Sequence, residues 1–363
     1  MHNPVDWHLR HGECGWSSGA LWLGYTYNMK KGGPEFRVVG NAEYVEKYAA
    51  KRKRESAFYM QDAFTEEEEQ LLAKTEYPKS DKEKALIRFA NDGINELLEE
   101  AGMDTYDVPE ENIHILPPEV FDRFGTHDAT ASTRYYYQAV FANAAELRGR
   151  PVSFGTTMVH ELMHLKAPQT LEVRDDEENA SEYRAGISAP ASIKRSREIG
   201  DHEHGRGVHE ALIVLTEKEM FEKMLKLPEL AEQKAWMESS EYEAFKQKIH
   251  ATDKVPLDEF IWINKDGKTW DHFAYWWERK TLLYACEEIC NEFPEYETVN
   301  AVVKEFRTAH LTGRLLPIAR LTEKTFGSGS FRILMDMKAD RESASLTREH
   351  LGKMRRKQLA SKQ

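Results

Sequence analysis

The chain has 363 residues, of which 40% are hydrophobic and 31% are charged, and its formal net charge is −12 at pH 7. These proportions are typical of a globular protein that is long enough to bury a substantial core. The acidic balance argues against general nucleic-acid binding, because that function needs a basic surface that displaces counterions from phosphate.

The sequence indicates neither a membrane span nor a secretion signal. The apolar runs ALIVL and ALWLGY are far shorter than the roughly 20 residues that cross a bilayer. His, Asp and Arg interrupt the N-terminus where a signal peptide needs an apolar core. The three cysteines, Cys14, Cys286 and Cys290, are too few for a disulfide framework. We therefore expect a cytoplasmic protein without a membrane partner, in which Cys286 and Cys290 act as small buried apolar residues on a helix.

Residues 1–80 are predicted to form an N-terminal segment of unknown role. The run WHLRHGEC within it has a spacing that could hold a metal, but no fourth ligand is nearby, so a plain polar segment is the favoured interpretation. Near the end of the segment, Thr65 and Glu68 have the spacing of a capping box. This pair predicts the start of a helix.

The middle of the chain alternates between helix and strand signals. Residues 81–104 are predicted to be an amphipathic helix that ends near Gly102. NIHILPP, residues 112–118, predicts a short strand, and the aromatic run RYYYQAVFANA, residues 134–144, predicts a second one after a turn-rich piece. A free edge of that second strand is able to pair with an extended peptide, although ordinary strand packing explains its tyrosines equally well.

The later part of the chain is predicted to be mainly helical, after an acidic loop whose residues 175–178 are expected to be solvated and a strand in SEYRAGIS. FIWINKDGKTW predicts a hairpin with its turn at Asp266-Gly267. The basic residues 338–363 are predicted to be a frayed helix or a disordered end with solvated charges. The expected fold class is therefore α+β: a small mixed sheet beside the helix of residues 155–168, then a helical C-terminal part, with a cleft between them.

Residues 155–168, GTTMVHELMHLKAP, are predicted to form that helix. Thr156 or Thr157 is expected to cap its start, and Pro168 is expected to stop it. One apolar stripe is expected to face the core, and it consists of Met158, Leu162 and Leu165.

The polar residues of the same helix have the spacing of a metal site. His160 and His164 lie one helical turn apart, so both imidazoles project from one face and can converge on a zinc ion about 2 Å from each nitrogen. Glu161 lies beside them, where its carboxylate can take a proton from a zinc-bound water. A chance match is the alternative, since about one chain in twenty of this composition contains HExxH. The position of the histidines off the apolar stripe favours the metal site.

A catalytic zinc site needs a third protein ligand and an open fourth position. The pattern HExxHxxGxxH is absent, because Ala167 and Thr170 stand in place of its glycine and its last histidine. Glu210 in GRGVHEALIVLTEKEM is the predicted third ligand, since an acidic residue in so apolar a helix needs a positive partner. The alternative ligands are the three histidines just before it, His202, His204 and His209.

HELMH followed by GVHEALIVLTE resembles the gluzincin metallopeptidases, the broad thermolysin-like class, and is closer to small predicted bacterial members whose second motif resembles GLNEA-x-TE. The later runs WWERKTLLYA and HLTGRLLPIARLTEKTFGSGSF agree more loosely, so the similarity covers about residues 112–331. HExxH alone is moderately specific, and the two motifs together are more so.

The resemblance implies a zincin-like metallopeptidase domain at residues 81–337. In that domain, His160, His164 and Glu210 would hold Zn²⁺, and Glu161 would be the general base. The activity implied is zinc-dependent hydrolysis of peptide bonds in a peptide or protein substrate. Two alternatives stay open: a catalytically inactive protein that keeps the zincin scaffold for binding or regulation, and a protease with a single protein target.

The sequence departs from the thermolysin-like pattern at two places. Val214 stands where those members carry an acid that orients a zinc histidine, and His209 stands where the resembling motif has asparagine. Such outer groups orient the metal ligands. Glu217, two turns beyond Glu210 on the same helix face, could take over this role. The donor for the oxyanion is not singled out, and the candidates are Tyr183, Tyr275, Arg279 and His310.

Overall fold

The computed structural model describes residues 25–27, 36–40, 64–126, 129–135, 138–173, 181–190 and 203–362. These residues form a mixed α+β structure with small sheets and a mostly helical C-terminal part, which confirms the predicted fold class at this level. None of the described helices is both long and apolar enough to cross a membrane. The α-helices are α1 (Glu66–Thr75), α2 (Asp81–Glu100), α3 (Pro118–Phe124), α4 (Ala144–Leu147), α5 (Pro151–Lys166), α6 (Arg206–Met224), α7 (Ala231–Met237), α8 (Ser240–Asp253), α9 (Trp276–Glu292), α10 (Val299–Thr312), α11 (Leu316–Phe326), α12 (Ser330–Met335) and α13 (Arg341–Lys362).

The described strands are short and belong to several small sheets. They are β1 (Tyr25–Tyr27), β2 (Phe36–Gly40), β3 (Ile113–Leu116), β4 (Ala131–Arg134), β5 (Ala139–Asn143), β6 (Gln169–Val173), β7 (Ser181–Ala185), β8 (Ala189–Pro190), β9 (Glu203–His204), β10 (Phe260–Ile263) and β11 (Trp270–His272). Two-stranded antiparallel pairs are formed by β8 with β9 and by β10 with β11.

One sheet packs against the histidine-bearing helix α5, and a second sheet contains the strand that follows it in the chain. The first has the order β3-β5-β4, with β3 parallel to β5 and β4 antiparallel to it, so that β4 forms an edge. This edge strand packs against α5. The second sheet has the order β1-β2-β6-β7, and its strand β6 follows the end of α5 directly. The predicted small mixed sheet beside the helix is therefore present.

Several local predictions are confirmed. Thr65 caps α1 and forms the complete capping box with Glu68. The predicted amphipathic helix is α2, which ends just before Gly102. The hairpin in FIWINKDGKTW is the pair β10–β11. In each case the signal is local, because the residues that fix the element are within a few positions of one another.

The prediction of one strand in RYYYQAVFANA is wrong. Arg134 ends β4, Tyr135 and Gln138 lie in the connecting turn, and β5 begins at Ala139. Gln138 has a φ of 52°, a left-handed conformation that helps to reverse the chain, and its carbonyl accepts a hydrogen bond of 2.9 Å from Asn112 Nδ2. Tertiary contacts at the turn thus override the strand propensity of the aromatic residues. β5 is the central strand of its sheet, so the free edge predicted for this run is absent from it. β4 is an edge strand, and three of its four residues lie in the stretch predicted as turn.

The predicted threonine cap of the histidine-bearing helix is also wrong. Pro151 is the first residue of α5, in the position where its missing N–H and its fixed φ suit a helix start. Thr156 lies inside the helix, and its hydroxyl donates to the carbonyl of Ser153 at 2.9 Å. The predicted end is correct, since α5 stops at Lys166, two residues before Pro168.

The core side of α5 is as the sequence predicts. Met158, Leu162 and Leu165 are fully buried, and they belong to the same cluster as Leu86 and Ile94 of α2. Burial of each such side chain contributes roughly 1.5–3 kcal/mol to stability. Because this face is anchored in the core, the opposite face of α5 is held in a fixed direction.

The C-terminal basic segment is a packed helix rather than a frayed or disordered end. Ala344 and Leu351 of α13 are fully buried in a cluster with residues of α9. Arg355 is also buried and pairs with Glu288 and Glu292 of α9, each at 2.9 Å. The apolar positions recur at helical spacing, but the high density of Lys and Arg around them masks this pattern.

Lys166, the last residue of α5, is a lysine with little access to water. Its side chain is buried, its Nζ donates to Asn95 Oδ1 at 2.8 Å and to the Asn91 carbonyl at 3.2 Å, and it lies over the ring of Tyr106. Burial lowers the pKa of Lys166 to about 7, although Asp107 and a second aspartate oppose the shift. Because the unfolded lysine keeps its proton to about pH 10.4, folding stability should rise as the pH increases from about 7 to 10.

Lys166→Met is expected to raise the free energy of unfolding at about pH 6 by about 1–4 kcal/mol, since the full penalty of the buried charge is present there. The difference in the free energy of unfolding between the variant and the wild type should shrink as the pH approaches 10, where the wild-type lysine is neutral in the folded state. Urea unfolding of both proteins across this range measures the difference, with the exposed Lys226→Met as the control. A difference that does not change with pH would contradict the lowered pKa.

Candidate metal centre

Two histidines of α5 face one another across one helical turn. The Nε2 atoms of His160 and His164 lie 3.0 Å apart, and the ring centroids lie 4.8 Å apart. Both side chains are half-buried, whereas the apolar stripe on the other side of the helix is fully buried. The four-residue spacing therefore directs both rings out of the core towards one point, as residues at this spacing share a helix face.

A carboxylate from α6 lies at the same point. Glu210 Oε2 is 3.4 Å from His160 Nε2 and 3.8 Å from His164 Nε2. Glu210 belongs to the first turns of α6, whose start is fixed by the N–H of Gly207 donating to the Met337 carbonyl at 2.9 Å. A side chain at position 207 would collide with that carbonyl oxygen. The glycine thus allows the close approach that sets where Glu210 lies.

The geometry of the three atoms fits a small divalent cation. They form a triangle with sides of 3.0, 3.4 and 3.8 Å. Ligands at about 2.0–2.1 Å from a tetrahedral zinc ion are about 3.3 Å from one another. Two imidazole nitrogens and one carboxylate oxygen are also a donor set that zinc accepts. Among the described residues, His160, His164 and Glu210 are the group of three that could hold a metal.

Glu210 gives an independent reason to expect a cation. Its Oε2 is buried and has no hydrogen-bond partner among the described residues, although two ring nitrogens lie within 4 Å of it. A buried carboxylate oxygen without a partner costs free energy unless a positive group neutralises it. A cation at the centre of the triangle would supply that group. The residues present therefore fit zinc.

The alternative ligands are placed differently. His204 is exposed and its Nδ1 pairs with Asp336 at 2.7 Å. His209 is buried, but its Nε2 lies 2.6 Å from His164 Nδ1, the ring nitrogen that faces away from the triangle. His202 lies outside the described residues. Of the candidates for the third position that the structure describes, Glu210 is the one whose side chain reaches the two Nε2 atoms.

Each ring nitrogen that faces away from the triangle has a partner. His160 Nδ1 contacts the carboxylate of Glu217, the residue suggested by the sequence as a replacement for the missing acid at position 214. His164 Nδ1 contacts His209 Nε2. If both Nε2 atoms bind a cation, both Nδ1 atoms carry protons and donate to these partners. Glu217 and His209 thus fix the orientations of the two rings.

The carboxylates near the triangle create a local negative potential. Burial acts to lower the pKa of His160, but Glu217 and Glu210 outweigh it and raise that pKa well above its ordinary value. Burial lowers the pKa of His164, and the neighbouring His209 adds to this effect. A positive charge is therefore favoured on the side of the triangle where Glu210 and Glu217 lie, as is needed for cation binding.

Glu217→Gln is expected to weaken zinc binding by about 10- to 100-fold, the usual effect of removing an outer partner of a ligand histidine. A neutral amide accepts the Nδ1–H of His160 less strongly than a carboxylate does. Competition with a chromophoric chelator at neutral pH measures the affinity. Glu222→Gln, an exposed acid of the same helix, is the matched control. Unchanged affinity in Glu217→Gln would mean that this contact does not orient His160.

Glu161 lies beside the triangle and is held by the edge strand. Its side chain is buried, and the hydroxyl of Thr133 in β4 donates to Glu161 Oε2 at 2.7 Å. The same hydroxyl lies 3.0 Å from the Glu161 carbonyl oxygen. Burial raises the pKa of Glu161, partly opposed by His160. Thr133 is a positioning residue that the sequence analysis missed, since only the packing of β4 on α5 brings it there.

A cleft of about 390 Å³ opens beside these residues. Its walls are α4, α5, α6, the start of β4, the β10–β11 hairpin and the residues that precede α9. His160, Glu161 and Glu217 line it, together with Tyr275, which has a positive φ of 53° at the start of α9. The cleft gives a small extended ligand access to the Glu161 carboxylate, as expected of a binding site.

Of the four candidate oxyanion donors, Tyr275 is the one whose described side chain lines the cleft. Arg279 is buried and forms an ion pair with Glu259, in which Nη1 lies 3.1 Å from Oε1. His310 is fully buried and its Nε2 lies 3.4 Å from the Met163 carbonyl. Arg279 Nε also donates to the Ala274 carbonyl at 2.9 Å, so this ion pair supports the backbone beside Tyr275. The Tyr183 side chain lies outside the described residues.

The two described cysteines belong to the helix packing. Cys286 is fully buried, and Cys290 Sγ donates to the Tyr296 carbonyl at 3.1 Å, so both act as parts of the helix packing. The run WHLRHGEC and the acidic residues 175–178 lie outside the described residues.

Comparison of the chain with known protein families, with curated proteins and with solved structures finds no match.

Proposed function

We propose that this protein is a zinc-dependent peptidase with a zincin-like fold, in which His160, His164 and Glu210 hold the metal and Glu161 is the general base. The observation that carries the proposal is the convergence of three ligand atoms from α5 and α6 within 3.8 Å of one another. The buried, unpartnered oxygen of Glu210 supports a cation at this point. The neighbouring cleft and the buried carboxylate of Glu161 support a catalytic role for it.

Zinc bound there would act as a Lewis acid and lower the pKa of a water molecule at its open position. Glu161 accepts the proton of the attacking water and returns it to the leaving amine. Its hydrogen bond from Thr133 keeps the carboxylate beside the metal ligands during both transfers. Tyr275 lines the cleft, and its hydroxyl is the proposed donor to the oxyanion that forms at the scissile carbonyl.

The sheet edge offers a place for an extended peptide. β4 is the edge strand of its sheet and packs against α5, so its outer backbone groups lie near the cleft. An extended chain that pairs with such an edge gains main-chain hydrogen bonds whatever its side chains are. This arrangement favours peptide-bond hydrolysis over the cleavage of small esters or amides, which do not need a sheet edge.

Removal of the metal is the direct test of the proposed function. The zinc-loaded protein is expected to cut a pool of unfolded peptides, to lose this activity on dialysis against a strong chelator, and to regain it with about one equivalent of zinc per chain. Mass spectrometry of the peptide pool measures the cleavage. A zinc-loaded protein that cuts no peptide in the pool and no protein in a mixed extract would contradict peptidase activity and favour a non-catalytic binding protein.

A further inference from the structure

A groove of about 440 Å³ separates α9 from α13 on a part of the surface that shares no lining residue with the cleft. Its cations come from both helices, and its aromatic walls come from α9. The main lining residues are Trp277, Lys280 and Tyr284 on α9 and Arg348, Gly352 and Arg356 on α13.

The cations at this groove are free of carboxylate partners within the described part of the chain. Lys280, Arg348 and Arg356 are exposed, and none of them forms an ion pair with a described residue. The one acid in the lining, Glu349, is paired with Lys353 at 2.6 Å. The unpaired cations give the groove a positive potential that favours an anionic ligand.

Aromatic rings contact two of the three groove cations. Arg348 lies over the ring of Tyr284 at 5.2 Å, and Lys280 lies over the ring of Trp276 at 3.7 Å. Arg341, two turns before Arg348 on α13, lies over the ring of Trp277 at 4.6 Å. Such contacts favour an extended, ordered side chain over a freely moving one. Ordering the cations in advance lowers the entropic cost of binding an anion.

Gly352 keeps the floor of the groove open. Glycine in a helix interior is about 1 kcal/mol less favourable than alanine, so its place in the middle of α13 needs a reason. A Cβ at this position would lie 3.5 Å from the Tyr284 hydroxyl and 3.6 Å from an Arg356 nitrogen. A side chain would therefore fit without a clash but would fill the space between the Tyr284 hydroxyl and the Arg356 guanidinium.

The cations follow one line along α13. Arg348 and Arg356 line the groove and are eight residues apart, about 12 Å along the helix. Arg341 lies outside the lining but over the ring of Trp277, and it extends the row to about 22 Å, about the length of six or seven residues of extended chain. A single phosphate group would engage only part of such a row, whereas an acidic peptide segment would engage all of it. Trp277, at one end of the row, is two residues from Tyr275 of the cleft.

We infer that this groove, the α9–α13 groove, binds an extended acidic segment of the polypeptide substrate and so selects substrates that carry one. That the acidic segment belongs to a substrate rests on the proposed peptidase function. The binding of an acidic segment rests on the groove alone. Binding is electrostatic, so it weakens as the salt concentration rises.

The test is the binding of a fluorescent peptide of about ten residues with six glutamates, measured by anisotropy on the full chain carrying Glu161→Gln. The glutamate peptide is expected to bind, and a peptide with glutamine in place of each glutamate is expected not to. The double change Arg348→Glu and Arg356→Glu should weaken binding by at least about tenfold. The matched control, Arg320→Glu and Lys357→Glu, makes the same charge change at two exposed positions outside the groove lining and should stay within about twofold.

Equal loss in the two double variants would overturn the inference, because it would show that only the net charge of the chain matters. Equal binding of the glutamine peptide, or displacement of the probe by a single-stranded RNA at lower concentration than by unlabelled glutamate peptide, would overturn it as well. If the probe binds as expected but the zinc-loaded wild type cuts no peptide, the proposed function fails and the groove remains an acidic-segment site.

Discussion

Glu161→Gln is expected to keep its zinc and to lose peptide hydrolysis by a factor of about 10² to 10⁴, the usual contribution of a general acid–base group. An amide cannot accept the proton of the attacking water, so the loss should appear in kcat. The structure of the site should otherwise be kept, because glutamine has the shape of glutamate and its carbonyl oxygen can accept the Thr133 hydrogen bond of 2.7 Å.

Zinc content separates this effect from a loss of metal. None of the three atoms of the triangle belongs to Glu161, so elemental analysis should find the same zinc stoichiometry in the variant and the wild type. Glu146→Gln is the matched control, since this acid also lines the cleft but lies on α4 and should leave kcat within about twofold. Full activity in Glu161→Gln with zinc bound would exclude Glu161 as the base and with it the proposed mechanism.

The parts of the site that the sequence predicts are those that depend on helix periodicity. The spacing of His160 and His164 sets their common face without any tertiary information. The choice of Glu210 rests on a different physical argument, namely that an acid in an apolar helix needs a positive partner. Glu217 follows from the same periodicity, because seven residues bring it back to the face of Glu210, and the structure places its carboxylate on His160 Nδ1.

The parts that the sequence does not predict depend on contacts between distant segments. Thr133 reaches Glu161 because β4 packs on α5, and no local pattern marks a threonine in such a place. The turn at Gln138 is set by hydrogen bonds to residues far along the chain, one of them Asn112. Propensity assigns the aromatic run to a strand, and only these contacts divide it between two strands and a turn. The sequence therefore assigns a free edge to β5, the central strand, instead of to β4.

The C-terminal helix shows a different limit. Ala344 and Leu351 of α13 are seven residues apart, a helical repeat that is legible in the sequence. The many charges between them suggested a solvated end, since such residues are usually exposed. Arg355 is buried because Glu288 and Glu292 of α9 neutralise it, and a pairing across that distance is not visible in the composition. Charge density alone is therefore a weak sign of disorder when apolar residues recur at helical spacing.

Glu210→Gln is expected to remove most of the stabilisation that zinc gives the protein. Without zinc, Glu210 Oε2 of the wild type lies 3.4 Å from His160 Nε2, and the neighbouring carboxylates raise the pKa of His160 well above its ordinary value. The neutral amide loses this attraction to a protonated His160, so the metal-free variant should be no more stable than the metal-free wild type. With zinc, the variant lacks its third ligand, and its affinity should fall by more than the 10- to 100-fold typical of an outer partner.

Thermal unfolding with and without zinc measures both effects in one experiment. At a free zinc concentration of 100 times the wild-type Kd, binding stabilises the wild type by about 2.7 kcal/mol. A variant whose affinity is 100-fold weaker gains only about 0.4 kcal/mol at the same concentration, from the same relation. Elemental analysis after gel filtration should then find about one zinc per wild-type chain and almost none in the variant.

The exposed acid Glu222 of the same helix provides the control, and Glu222→Gln should respond to zinc as the wild type does. Retention of tightly held zinc by Glu210→Gln would indicate that a neighbouring histidine is the third ligand. Among the described histidines, His209 is the nearest candidate, with its Nε2 2.6 Å from His164 Nδ1. Such a site would contain imidazole ligands alone. Because the proposed function depends on a carboxylate from α6 completing the triangle, this result would remove the main structural support for a peptidase of the gluzincin type.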